Sequence, residues 1–283
     1  MKNILLTGST GFIGSEILQT FSKKNKIYIT LRKKSKNNEK NKNIKKIYFR
    51  NYNELNKKLK KIKVNSIIHC ATHYVKKHKF EDIKKLNESN ILLGNIILEN
   101  LENMKVKKFI NFSTIWENYN AKKGNYFNLY SSYKDCFNNI INFYKKNQKK
   151  VKFFNFVISD TFGGNDKRKK LIKKLKTNYK KNRTTKIISK NLFMNLLNVK
   201  DICDAINLVL NSNVIPQTYI LKNNNVFSTM KIVNSFNSFT KKKIKIKWLS
   251  NKVIKEKIYN YKQLKKWRPK NSRIQDIIDS IKR

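Results

Sequence analysis

The seven residues Gly8-Ser9-Thr10-Gly11-Phe12-Ile13-Gly14 constrain this chain more than any other stretch. They follow an apolar run at 3–7 and open an amphipathic segment at 12–23, the strand-turn-helix setting that a dinucleotide fingerprint requires. Glycine lets the backbone turn tightly and approach a pyrophosphate. The helix N-terminus adds free N–H groups at the positive end of its dipole. Glycine is also scarce, with 7 in 283 residues, and three of them fall here. An ordinary turn in this composition would draw on the abundant asparagine. The turn is therefore read as a phosphate cradle, with Gly8, Thr10, Gly11, Phe12, Ile13 and Gly14 as candidate cofactor contacts.

Short apolar runs at 26–31, 46–49, 65–70, 107–112 and 151–158 continue the pattern, interleaved with helical spacing at 83–103 and 130–145. Strand, helix, strand in repetition implies right-handed crossovers and a parallel sheet covered on both faces. The expected fold is α/β: a doubly wound parallel sheet (Rossmann fold) with a small C-terminal α/β substrate lobe. Residues 1–160 form the expected nucleotide-binding domain and 161–283 mainly the lobe, interwoven with the first domain through strands and a helix near 186–222. Within 161–283 the pattern predicts helices at 168–181, 201–210 and 272–281 and strands at 186–189, 193–197 and 243–247. The polar, basic run 32–46 reads as a solvated loop.

The formal net charge is +48, from 65 Lys and Arg against 17 Asp and Glu. A charge this large invites a nucleic-acid reading, because clustered cations release counterions from phosphates. Yet only seven of the 65 cations are arginine, the forked cation that suits phosphate recognition. Alanine, glycine and proline are scarce as well, while Lys, Asn, Ile, Phe and Tyr abound. That is the signature of A/T-rich codons, so the charge is read as compositional background, with no specific nucleic-acid partner. No stretch approaches the roughly 20 apolar residues of a membrane helix, and the N-terminal run is too short for a signal peptide. Cys70, Cys136 and Cys203 lack metal-site spacing, which predicts buried, reduced thiols, no metal and a cytoplasmic protein.

The second strand ends at Arg32, where an acidic side chain would hold a ribose 2′-hydroxyl and a basic one a 2′-phosphate. A rare arginine there favours NADP(H), with NAD(H) as the alternative. Further along, Tyr130-Ser131-Ser132-Tyr133-Lys134 places Tyr130 and Lys134 on one helix face. A cation beside a phenol lowers its pKa and suits it to exchanging a proton with an alcohol or ketone. With 13 tyrosines and so many lysines, the spacing alone carries no weight. Its position does: the helix follows the strand whose C-terminal end carries Ser113-Thr114, and strand C-termini line the ligand crevice of a doubly wound sheet.

Thr-Gly-Ser-Thr-Gly-Phe-Ile-Gly at 7–14, followed by Ser113-Thr114 and Tyr130-x-x-x-Lys134, resembles the extended short-chain dehydrogenases of the NAD-dependent epimerase/dehydratase family. The resemblance runs through Ile67–Tyr74 (fourth strand and cofactor-lining turn, with Ala71 and Thr72), Asn90 in a helix, the loop from Asp160 to Arg168, and Val199-Lys200-Asp201-Ile202. It implies that Thr114 hydrogen-bonds the reacting oxygen, Tyr130 exchanges its proton, and Lys134 holds the nicotinamide ribose and tunes Tyr130. It assigns cofactor contacts to Ala71, Thr72, Asn90, Tyr130 and Lys134, and substrate contacts to Thr114, Asp160, Phe162 and Arg168. His73 and His78 read as bystanders, and Trp267-Arg268-Pro269 as packing.

Within the family the segments around Thr114, Tyr130 and 160–168 look most like the nucleotide-sugar 4-ketoreductases. Sugar-nucleotide 4,6-dehydratases carry Asp-Glu after the catalytic threonine; this chain has Ile115-Trp116, which disfavours elimination of water. After the third strand it has Arg50-Asn51 where the family commonly places an Asp for the adenine. The implied function is an NAD(P)-dependent reduction of a 4-keto nucleotide sugar in surface-polysaccharide biosynthesis. The alternatives are 4-epimerisation with retained NAD, and a non-catalytic nucleotide-sensing or RNA-binding protein on the same fold. The resemblance also suggests a homodimer built on a helix bundle.

Overall fold

The N-terminal apolar run becomes β1 (Asn3–Thr7), buried from Ile4 onward, and alternation across the pleat sends Ile4 and Leu6 to one face of the sheet and Leu5 to the other. The computed structural model describes residues 1–32, 41–164, 166–168 and 170–282. β2 (Lys26–Arg32), β3 (Ile44–Phe49), β4 (Ser66–His69), β5 (Lys108–Thr114), β6 (Lys152–Ile158) and the strand Thr218–Leu221 complete a seven-stranded sheet. Its order is Thr218–Leu221, β6, β5, β4, β1, β2, β3, and every pairing is parallel. The reversal of direction around β1 and β4 opens the crevice in which doubly wound sheets bind ligands.

On one face α1 (Phe12–Phe21) and, much later in the chain, α7 (Val199–Asn211) cover Ile4, Leu6, Ile27 and Ile29 with Ile17, Phe21, Ile202 and Ile206. On the other, α2 (Tyr52–Leu59), α4 (Leu93–Glu99) and α5 (Leu129–Asn147) cover Leu5, Ile67 and Phe109. The expected helix over 83–103 is α3 (Phe80–Asn87) and α4, joined by a π-helical turn, Glu88–Leu92. That wide turn carries Asn90, which is buried. Both α7 and the strand Thr218–Leu221 return to the sheet domain, so chain order and spatial order part company after residue 160.

The lobe has its own core of Phe162, Leu175, Ile187, Phe227, Phe236 and Ile278, drawn partly from α6 (Leu171–Lys180), α8 (Thr229–Ser238) and α9 (Ile274–Lys282). It is tied to α7 by Asp201, which is fully buried. The Asp201 carboxylate accepts hydrogen bonds from Lys270 N (2.8 Å), Asn271 N (2.9 Å), Asn271 Nδ2 (2.9 Å) and the Ser272 hydroxyl, and its carbonyl accepts one from the Trp267 indole (2.9 Å). Trp267 is thus a packing residue.

Sequence periodicity did not reveal α2, α8 or the strands Asp160–Phe162 and Thr218–Leu221. In α2 only Leu55 and Leu59 are buried, too few to show a 3.6-residue repeat. The available signal was its cap, where Asn51 accepts from Glu54 N at 2.9 Å and Arg50 N donates to the Glu54 carboxylate. This capping also explains Arg50-Asn51: the pair starts a helix. The basic run 32–46 is not all loop, since β3 already begins at Ile44; residues 33–40 lie outside the described residues. Among the thiols Cys203 is buried and Cys70 partly so, but Cys136 is exposed on α5, contrary to the expectation of burial. The described residues contain no helix long and apolar enough to cross a membrane and no group of side chains that could hold a metal.

Candidate active site

The cradle is built so that only glycine fits. Gly8 has φ +68°, and a Cβ on it would stand 2.6 Å from Ala71 N, while a Cβ on Gly14 would stand 2.1 Å from the Gly8 carbonyl oxygen. The turn is closed by Gly11 N donating to Gly8 O at 2.9 Å, and α1 begins with no side-chain cap on its first N–H groups. The buried Ser9 hydroxyl has no hydrogen-bond partner among the described residues. Absent side chains, uncapped donors and an orphaned hydroxyl all fit a dinucleotide pyrophosphate. Gly14→Ala is expected to weaken NAD(P)H binding about 10–100-fold, the equivalent of 1–3 kcal/mol of overpacking, in a fluorescence titration. Unchanged affinity would exclude the cradle as the binding site.

The turn opens a cleft of about 430 Å³ across the C-terminal ends of β1, β2, β4, β5 and β6. Of the residues singled out in the sequence, Gly8, Thr10, Gly11, Phe12, Ile13, Gly14, Arg32, Ala71, Thr72, Thr114, Tyr130, Asp160 and Arg168 line it. Three do not. Asn90 stands behind the wall, where its side chain accepts from Thr72 Oγ1 (2.6 Å) and His73 N (2.9 Å) and donates to His73 O (3.1 Å), fixing the turn after β4. Phe162 is buried in the lobe core. Lys134 is buried beneath the cleft. His73 pairs with Asp82 and His78 is exposed.

Tyr130 sits at the centre, its ring edge-on to Tyr74 at 5.1 Å. Its phenol departs from expectation: burial pushes it up to about 12, with the carboxylate of Glu117 adding to the rise and a hydrogen bond with Thr72 opposing it. Desolvation outweighs the Thr72 hydrogen bond and the Arg168 cation that oppose it, while Lys134 lies in the field of Glu117. Tyr130 is therefore a neutral proton donor at physiological pH. Thr114, at the end of β5, accepts from Trp116 N at 3.3 Å and caps the helical segment Ile115–Ala121. Glu117 was not singled out in the sequence, although Thr114-x-x-Glu117 is a capping-box spacing that could have found it.

The far end of the cleft is aromatic and charged. The rings of Trp116 and Tyr74 lie 5.9 Å apart, tilted by 34°, with the Lys170 ammonium 5.2 Å above the Trp116 ring and 2.6 Å from Asp160. Arg168 lies over the Phe12 ring at 4.0 Å and is forked onto Asp166, with a further bond to Thr161 O. Two cations and an aromatic shelf beside a nucleotide cradle suit a second anionic, ring-bearing molecule.

The family model described as "NAD dependent epimerase/dehydratase family" matches residues 4–221. The chain belongs to that family. A CDP-abequose synthase from Yersinia pseudotuberculosis is 26% identical over 217 residues, covering 74% of this chain and 74% of the relative. Among solved structures, the UDP-N-acetylglucosamine 4-epimerase from Methanobrevibacter ruminantium M1, in complex with UDP-N-acetylmuramic acid, superposes with a TM-score of 0.80 at 16% identity, covering 99% of this chain and 97% of that one. The dTDP-glucose 4,6-dehydratase of Bacillus anthracis str. Ames, in complex with NAD, has a TM-score of 0.77 at 22% identity, covering 99% and 96%. These structures share the doubly wound fold. The matched span of the epimerase/dehydratase family ends at Leu221, the last residue of the returning strand, so it contains all of the seven-stranded sheet except Asn3, the first residue of β1.

Proposed function

We propose that the protein is an NAD(P)-dependent oxidoreductase that reduces a 4-keto nucleotide sugar on the way to a surface-polysaccharide (O-antigen) sugar. The observation that carries this reading is the placement of Tyr130 in one cleft with Thr114: its phenol, kept neutral by burial, can give a proton to a carbonyl oxygen that is gaining a hydride. The cofactor, when bound, supplies that hydride. Gly8, Gly11 and Gly14 would hold its pyrophosphate and Lys134 its ribose. Thr114 would donate to the ketone oxygen and orient it, Tyr130 would protonate it, and Tyr74 and Trp116 would exclude water. Lys170 and Arg168 would meet the substrate diphosphate, with Asp160 fixing Lys170. Ile115-Trp116 leaves no acid/base pair beside Thr114 for dehydration.

The test is to mix the purified protein with NADPH and a nucleoside diphosphate-4-keto-6-deoxyhexose. Stoichiometric oxidation of NADPH supports the reductase. Interconversion of 4-epimers without net cofactor oxidation would establish the epimerase instead, and salt-sensitive RNA binding without turnover the binding protein.

NADP(H) is the proposed cofactor because Arg32 stands at the cleft rim, held by Ser89 (3.3 Å), Tyr52 (3.4 Å) and Glu88 (3.7 Å). Arg32→Ser is expected to weaken NADPH binding about 10–100-fold, the worth of a charge-assisted contact, while sparing NADH. An equal effect on both would assign the protein to NAD(H). The proposed assembly is a cytoplasmic homodimer. The exposed Phe80 and Ile83 on α3 and Phe143 on neighbouring α5 support a second copy docking there.

A further inference from the structure

Among the described residues three charged side chains are buried: Asp201, Glu117 and Lys134. Asp201 is accounted for by the donors that converge on it. Neither of the other two lines the catalytic cleft, and each lies within the electrostatic field of the other. The Glu117 carboxylate is clamped from two elements: Oε1 accepts from Thr114 N (3.3 Å) at the end of β5, and Oε2 accepts from Asn138 Nδ2 (3.0 Å) on α5. Asn138 is in turn fixed by Ser113 Oγ (2.9 Å) and by Asn111 Nδ2 (3.1 Å). Lys134 and Asn138 are four residues apart on α5 and share a face, so the clamp that holds Glu117 holds it against the face that carries Lys134. The Lys134 ammonium donates no hydrogen bond to a described residue, leaving its donors free for a ligand. A buried cation in that state persists only beside a compensating carboxylate.

We propose that Glu117 is the counter-ion of Lys134, a positioning residue that keeps the buried ammonium charged so that it can hold the cofactor ribose. This rests on the functional reading above. The surrounding groups leave Glu117 that role. Cys70 and His69, after and at the end of β4, are both driven neutral by burial, the imidazole down to about 3. Asp135 faces outward and accepts from Tyr126 at 2.6 Å; Tyr130 and Tyr261, also within the field of Glu117, are phenols pushed up to about 12. Burial lifts the Glu117 carboxyl and lowers the Lys134 ammonium, and each opposes the shift of the other.

The experiment is the pH dependence of the NADPH dissociation constant, read by fluorescence, in the wild type, Glu117→Gln, Glu117→Asp and Lys134→Met, together with thermal unfolding of these and the double variant E117Q/K134M. Protonated Lys134 aids binding, so affinity is full below its pKa and falls as pH rises through it. Removing Glu117 takes away a group that raises that pKa. The midpoint should drop by about one pH unit or more in Glu117→Gln, stay near wild type in Glu117→Asp, and vanish in Lys134→Met. The double variant should lose less Tm than the two single variants together. An unmoved midpoint with additive Tm losses would overturn the pairing. A wild type that binds no NADPH at any pH would overturn the functional reading, while the Tm cycle would still decide the pairing. If Glu117→Gln does not fold, recovery of folding in the double variant supports the pair and failure of both overturns it.

Discussion

Tyr130→Phe is expected to lower turnover by about 10²–10⁴-fold, the contribution of a positioned general acid, while leaving NAD(P)H affinity nearly unchanged. The substitution removes one hydroxyl. The ring keeps its edge-on contact with Tyr74 and its place in the cleft wall, so fold and cofactor site should persist. What goes is the hydroxyl that hands a proton to the reacting oxygen while Thr114 orients it. Because burial holds the phenol near 12, the wild-type rate should not decline on the alkaline side through titration of Tyr130 until well above neutral pH. Single-turnover kinetics with bound NADPH would check this. A variant retaining more than a tenth of the wild-type rate would remove Tyr130 from the mechanism.

Asp201→Ala should be the most damaging change away from the cleft, at about 3–5 kcal/mol of folding stability, as for breaking a buried charged hydrogen-bond network. The carboxylate is the acceptor on which two backbone N–H groups, an amide and a hydroxyl from 270–272 converge. Removing it strands those donors between α7 and the lobe, where an unpaired buried group such as the Ser272 hydroxyl costs about 1–3 kcal/mol. Denaturant unfolding would show a lower midpoint at similar slope. A loss under about 1 kcal/mol would mean the segment holds its course without Asp201.

The residues that were legible in the sequence are those whose chemistry is local. Gly8, Gly11 and Gly14 act through their own backbone, and the apolar run before them is a strand on its face value. Tyr130 was legible through its place after a strand bearing Ser113-Thr114, since topology alone puts both at one end of the sheet. What escaped depends on desolvation or on contacts between distant segments. The direction of the Tyr130 shift turned on how deeply its hydroxyl is buried, which a Tyr-x-x-x-Lys spacing does not carry. Phe162 directly follows cleft residues Asp160 and Thr161, yet it packs into the lobe core, where the strand Asp160–Phe162 pairs in parallel with Leu196–Asn198. Glu117 was not singled out because its environment depends on Asn138, 21 residues away, being brought against it.

The large positive charge gave the least information. The described cations at the cleft, Arg32, Arg168 and Lys170, matter because acidic partners fix them there. Most of the rest are exposed lysines with no such placement.

The central claim is that this cleft transfers a hydride to a sugar ketone with Tyr130 supplying the proton. The direct measurement is a single turnover with NADPH deuterated at nicotinamide C4 and a 4-keto nucleotide sugar, analysed by mass spectrometry and NMR. The account predicts one deuterium at sugar C4 on a single face and none in Tyr130→Phe over the same interval. Product without deuterium at C4, or equal labelling in the Tyr130→Phe protein, would contradict it.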